Sequence, residues 1–276
     1  MLLRSILAAT LGLLAGVGLT PSYAESIKVG GSGGGLRILQ LLGLDYAKKH
    51  PGDRIEVVPS LGSAGGIAAV NGRAIDLAVS WRSLNAKEVS WPLHEIPFLE
   101  TPFVFATTHS QGGSIARDDI TKIFGGTLST WPDGSPLRII LRPKSDSNSL
   151  FMVENIPGMQ AALEQTRQRT DVPTAASDQD NLVLADKTEG VLTGISLLQL
   201  QGDPGHRLKV LAIDNVVPSL DRLRDGTYPY RIRMRVVFAH TRTPATERFL
   251  TYLAGKDAEA IIQQHGAFRF AMQIPR

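Results

Sequence analysis

The 276-residue chain is 43% hydrophobic and 20% charged, the balance of a protein that folds around a core rather than of a disordered or low-complexity one. A formal net charge of +3, with basic residues scattered along the chain, is too weak for a nucleic-acid surface but suits attraction of a small anion. There is no cysteine, so neither a disulfide nor a cysteine-linked lipid anchor is available, and an ordinary core must hold the fold.

Residues 1–24 have the features of a cleavable secretory leader. Arg4 gives a short basic start, residues 5–19 form an uncharged apolar run too short to span a bilayer, and small Ser22 and Ala24 stand where a signal peptidase reads. A buried N-terminal helix is the competing reading. The leader predicts export and a free, monomeric periplasmic protein starting near Glu25. What remains, roughly 250 residues, suits one large domain or two modest ones.

Residues 26–31 read as a short strand stopped by glycine. Residues 36–49 carry Ile38, Leu41, Leu42 and Tyr46 at helical spacing, with His50, Pro51 and Gly52 as the stop. Residues 54–60 alternate like a strand, residues 62–66 read as a polar loop, and residues 67–72 as a short helix ended by Gly72. Residues 75–80 are another apolar strand. The order strand, Gly-rich loop, helix, strand, Ser/Gly loop, helix, strand is an α/β unit with parallel crossovers.

Residues 95–108 form a long extended run, and residues 116–126 a helix with Asp118 and Asp119 in its first turn. Residues 136–143 read as a strand and residues 144–149 as a polar loop. Residues 190–196 and 208–214 look like strands, and residues 230–240 alternate with Arg231, Arg233 and Arg235 on one face. Two helices over residues 245–255 and 256–266, each with a terminal glycine, close the chain.

Three loops share one design, a strand followed by Gly, Ser, Asp or Asn and then a helix. They hold Ser32, Gly33, Gly34 and Gly35; then Ser63 and Ala64; then Ser145, Asp146, Ser147 and Ser149. A helix's first turn presents unpaired N–H groups and a positive dipole end, and ligands of open α/β sheets bind outside the carboxyl ends of the strands. Several such ends aimed at one small anion are the binding site that these loops predict. The plain alternative makes Ser63 and Ser147 ordinary helix caps. Nucleotide loops do not fit: after Gly31 and Gly33 a dinucleotide fingerprint needs glycine where Leu36 stands, and no G-x-x-x-x-G-K-[ST] occurs.

In order along the chain, GGSGGG, LGSAGG followed by IDLAVSW, IFGGTLSTWPDGSPLRIILR, and RPKSDSNS resemble the motifs of periplasmic phosphate-binding proteins of ABC importers. The resemblance covers most of the chain after the leader, although no single motif is close to identical. It implies a two-lobed α/β fold of the type 2 periplasmic solute-binding superfamily, each lobe a mixed sheet flanked by helices. Two crossings connect the lobes, which close on a dehydrated phosphate. It places Gly34 and Gly35 at ligand-contacting positions, where the family usually has threonine or serine and a bulkier residue. Ser63 matches the second-loop serine and Arg142 the arginine opening the third loop. That loop is one residue longer before its serine than the family form R-x-D-G-S-G-T, so Asp146, Ser147 and Ser149 match approximately.

One departure bears on the ligand. After the strand matching IDLAVS the family places an aspartate that accepts the proton of bound phosphate; here Trp81 and Arg82 follow. Without that carboxylate, sulfate, molybdate, tungstate or a small organic anion stand beside phosphate. Each residue also has a plain structural reading: Arg142 as a surface partner of Asp146, Trp81 as core, Arg82 as solvated, Trp131 as local packing.

The expected division is residues 25–103 with 236–276 in one lobe and residues 104–235 in the other. Hinges fall near residues 101–108 and 230–240. The expected function is capture of a small inorganic anion, phosphate first, for an ABC permease, with a sensor protein as the alternative partner. No cofactor or metal is implied. A secreted hydrolase is the opposing class, but the six histidines stand singly, and His94–Glu95 is the one local His–acid pair.

Overall fold

The computed structural model describes residues 25–275, so the leader expected over residues 1–24 lies outside the described residues. The first unit is strand β1 (Glu25–Gly31), a single 3-10 turn at Gly33–Gly35, helix α1 (Leu36–Lys49), β2 (Asp53–Val57), α2 (Gly62–Asn71) and β3 (Leu77–Ser80). Both β2 and β3 pair with β1 in parallel, as the strand–helix–strand order requires. Helix α1 buries Ile38, Leu39, Leu42 and Tyr46 against this sheet, the 3.6-residue stripe of the sequence.

A long strand, β4 (Leu93–Thr107), follows, then β5 (Ser114–Ile115), α3 (Arg117–Phe124), β6 (Arg138–Ile139), α4 (Ser147–Asn155), α5 (Met159–Thr166) and α6 (Asp178–Lys187). Next come β7 (Val191–Ser196), α7 (Leu197–Gly202), β8 (Lys209–Val210), β9 (Ala212–Ile213), α8 (Leu220–Arg224) and β10 (Arg231–Ala239). The chain closes with α9 (Pro244–Leu253), α10 (Lys256–Gln264) and β11 (Phe268–Arg269).

The main sheet runs β2-β1-β3-β10-β4-β7-β6, and β8 and β11 also pair with β4. Strand β4 joins its two halves. Residues Leu93 to Pro102 pair antiparallel with β10 beside β3, and residues Phe103 to Thr107 pair antiparallel with β7. Each half is thus mixed and flanked by its own helices, the two-lobed architecture of type 2 periplasmic binding proteins. Phe98, Phe103 and Phe105 along β4 are fully buried, so the strand that links the halves also threads their cores. Burial on this scale stabilises by roughly 1.5–3 kcal/mol per large apolar side chain. Among the described residues no helix is long and apolar enough to cross a membrane.

The structure departs from expectation in several places. Helix α2 starts at Gly62, so the Ser/Gly stretch is its first turn and not a loop before it. Its buried Ser63, Gly66, Ile67 and Val70 follow helical spacing, and tertiary packing of this small-residue face overrides the low helix propensity of glycine. Helix α4 likewise starts at Ser147, inside the expected loop. The expected strand over residues 136–143 pairs regularly only at Arg138–Ile139, and that over residues 208–214 divides into β8 and β9 on different partners. Helices α5 to α8 were not foreseen from periodicity.

Candidate anion-binding site

The loop after β1 is fixed by its own backbone. Ser32 N–H donates to the Val79 carbonyl (2.9 Å) and Gly35 N–H to the Ser32 carbonyl (3.0 Å), so the 3-10 turn leads straight into α1. Gly33, Gly34 and Gly35 are all buried. A Cβ on Gly33 would sit 2.7 Å from Asp178 Oδ2, and one on Gly34 would sit 2.6 Å from Cζ2 of the Trp81 indole. Glycine is therefore what lets two side chains close directly onto this backbone.

Ser63 and Ser147 meet across the cleft, hydroxyl to hydroxyl, at 2.8 Å. Ser63 Oγ also accepts from the Trp81 N–H (3.1 Å). Neither serine caps its helix: Leu61 precedes α2, and Asp146 caps α4 by accepting from Asn148 N–H. This overturns their reading as ordinary caps and leaves both hydroxyls facing the junction between the halves. Ala64 and Ser145 are exposed, whereas Ser149 is buried and donates to the Arg142 carbonyl at 3.1 Å.

Arg142 is 3% exposed, so its pairing is not a surface one. Its Nε and Nη2 donate to the two oxygens of Asp146 (3.1 and 2.8 Å), and its Nη1 donates to the Ala175 carbonyl (2.9 Å). A second carboxylate, Asp178, lies 3.5 Å from the same Nη2. Asp178 begins α6 on the far side of the cleft from the glycine loop, yet its Oδ2 accepts from Gly34 N–H at 2.9 Å. Beside it, Gln179 Nε2 donates to the Gly33 carbonyl at 2.9 Å. Burial pushes the Asp178 carboxyl up to about 6, with Asp146 adding to the rise; Arg142, the Gly34 N–H and the Ser32 hydroxyl pull the other way.

Trp81 is half-buried, and its Nε1 is buried with no hydrogen-bond partner among the described residues. It walls a cavity of about 320 Å³ that opens beside Ser147 and extends along Phe151 to Arg231 and Arg233 of β10. Arg82 also lines this cavity, but its guanidinium holds Glu88 in a two-pronged pair (2.6 and 2.8 Å), which holds that carboxyl below the usual range. Glu100 accepts from Arg231 (3.2 Å) and Arg233 (2.7 Å), and Glu95 pairs with Arg235. The arginine face of β10 thus fronts the cleft with three guanidiniums against two glutamates. His94 and Glu95 do not form a dyad: His94 packs its ring 4.3 Å from that of His240, while Glu95 binds Arg235. Trp131 is buried and donates to the Gly190 carbonyl.

The structure therefore brings together Ser32, Gly33, Gly34, Ser63, Trp81, Arg142, Asp146 and Ser147, and leaves Ala64 and Ser145 at the rim. Asp178 and Gln179 were absent from the sequence-derived set. Their signal was present in SDQD, a Ser177–Asp180 capping box that announces a helix whose first residue is acidic.

The fold is shared with solved proteins at low sequence identity. A candidate phosphate ABC transporter substrate-binding protein with bound phosphate from Clostridium perfringens is 15% identical with a TM-score of 0.77, covering 89% of this chain and 100% of that one. An ABC-type phosphate transport receptor from Vibrio cholerae is 17% identical with a TM-score of 0.62, covering 88% and 99%. The Synechocystis CcmR regulatory domain in complex with 2-PG is also 17% identical, with a TM-score of 0.53 and coverage of 83% and 95%. No curated protein matches the chain by sequence. Residues 19–257, well over half of the chain, match the PBP superfamily domain family, and the chain belongs to that family.

Proposed function

We propose that this protein captures a small oxyanion, phosphate first among the candidates, in the cleft between its lobes and presents the closed form to an ABC permease. In this reading residues 25–103 with 236–276 form one lobe and residues 104–235 the other. In the same reading the leader expected over residues 1–24 directs the protein to the periplasm, where it acts as a monomer. The observation that carries the reading is the 2.8 Å contact between Ser63 and Ser147, which puts the N-terminal turns of two helices from opposite halves at one point. Gly34 N–H and Arg142 lie at the same junction and already hold a carboxylate, the kind of group an oxyanion resembles. The neighbours that bind or transport phosphate support the same ligand class.

A second reading rests on the cavity beside Ser147. Trp81, Leu150 and Phe151 offer apolar wall and Arg233 a cation, a lining that suits an anion with an organic body. The regulatory-domain neighbour bound to 2-PG favours this reading and a sensory use. A thermal-shift screen of phosphate, sulfate, molybdate, tungstate and small carboxylates separates the two, since a guest of the folded state raises Tm by linkage. Stabilisation by inorganic oxyanions at sub-millimolar concentration supports capture; stabilisation only by organic anions transfers the function to the second reading.

A further inference from the structure

The donors expected to hold an anion are engaged by the protein itself. Gly34 N–H points to Asp178 Oδ2 at 2.9 Å, and Arg142 Nη2 lies 3.5 Å from Asp178 Oδ1, so one carboxylate spans the first-loop amide and the third-loop arginine. Gly33 lacks the side chain that would obstruct this approach, and Gln179 next to Asp178 ties the Gly33 carbonyl. The side chain of Asp178 is 8% exposed. It is thus placed, charged and buried as a guest anion would be, but it is delivered by helix α6.

We infer that Asp178 is a resident ligand of the anion site, and that a dissolved oxyanion binds there only by displacing its carboxylate or by its taking up a proton. This rests on the oxyanion-capture reading and makes Asp178 the residue that sets the site's affinity. Two negative charges sharing one amide and one guanidinium repel each other strongly in a buried site. The charged groups facing Asp178 are Arg142 and Asp146, and Asp146 is itself held by Arg142 and Asn148 N–H. The 3-10 turn, β7 and α7 bring no charged residue. Burial already pushes the carboxyl up to about 6, so protonation lies within an accessible pH range.

Sulfate is the probe, because it stays doubly charged from pH 5 to 8 and any pH dependence then belongs to the protein. Calorimetric titration of the purified protein should give sulfate affinity at least tenfold weaker at pH 8 than at pH 5.5. Asp178→Asn should bind at least tenfold more tightly than the wild type at pH 8 and lose the pH dependence. Equal wild-type affinity at both pH values, or an Asp178→Asn affinity no tighter than wild type, overturns the inference while leaving anion capture intact. If Asp178→Asn does not fold, the wild-type comparison decides alone. If both proteins fold and neither binds sulfate, phosphate, molybdate or tungstate at either pH, the capture reading fails and this inference falls with it.

Discussion

Ser63 Oγ and Ser147 Oγ lie 2.8 Å apart although 84 residues separate them, and Ser63 also accepts the Trp81 N–H. One hydroxyl pair therefore links the start of α2, the start of α4 and the end of β3. A neutral hydrogen bond of this kind contributes about 0.5–1.5 kcal/mol. Ser63→Ala and Ser147→Ala should each destabilise by about that amount, and the double variant should cost less than the sum. A urea-denaturation cycle on the four proteins measures the coupling; strictly additive losses would mean that the hydroxyls do not bond.

The same pair shows how much the sequence could disclose. Strand-then-helix order and the Ser/Gly/Asp composition of three segments were readable, because they depend on local spacing and on the chemistry of helix starts. The long β4 and the alternating β10 were readable for the same reason. Helix α6 left only its Ser177–Asp180 capping box as a signal and no periodicity, because its buried face is formed by Asp178, Asn181 and Ala185, which carry no apolar stripe. The identity of the group lying against Gly34 could not be read either, since Asp178 is 144 residues away and only tertiary packing brings it there.

Arg142 balances two carboxylates, the partly buried Asp146 and the buried Asp178, with side chains at 14% and 8% exposure. Removing one partner of a buried ion pair costs about 3–5 kcal/mol, because the remaining charge is stranded. Arg142→Ala should lose that much in chemical denaturation and should show no oxyanion-induced rise in Tm. Arg142→Lys keeps a positive charge but not the planar fork, so it should fold with an intermediate loss and respond weakly to anions. A loss below about 1 kcal/mol in Arg142→Ala would show that Asp146 and Asp178 find their compensation elsewhere.

Gly34 and Trp81 are matched in shape. With the indole Cζ2 2.6 Å from where a Cβ would stand, Gly34→Ala forces the ring or the loop to move. Overpacking of this type costs about 1–3 kcal/mol. The penalty should largely vanish when Gly34→Ala is made in a Trp81→Ala background, as measured by Tm in the two backgrounds. An equal penalty in both would assign it to the backbone of the 3-10 turn instead of the indole.

The pH dependence of stability follows from Asp178. Its carboxyl is raised from 3.8 to about 6, chiefly by burial, so between about pH 4 and pH 6 the folded chain holds a proton that the unfolded chain has lost. Stability from this group is greatest at the low end of that window and falls as the pH rises through it, by up to about 3 kcal/mol at 1.36 kcal/mol per unit. Other carboxylates act in the opposite sense. Asp53, held below the usual range chiefly by Arg248, and Glu88, held down by Arg82, lose stability as the pH falls. Those terms are common to the wild type and Asp178→Asn and cancel in the difference between them. The unfolding free energy of Asp178→Asn minus that of the wild type should therefore climb from pH 4 to pH 6 and then level off. Urea titrations at half-unit pH steps measure it, and a difference that stays constant across the window would show that the Asp178 carboxyl titrates as an ordinary solvated one.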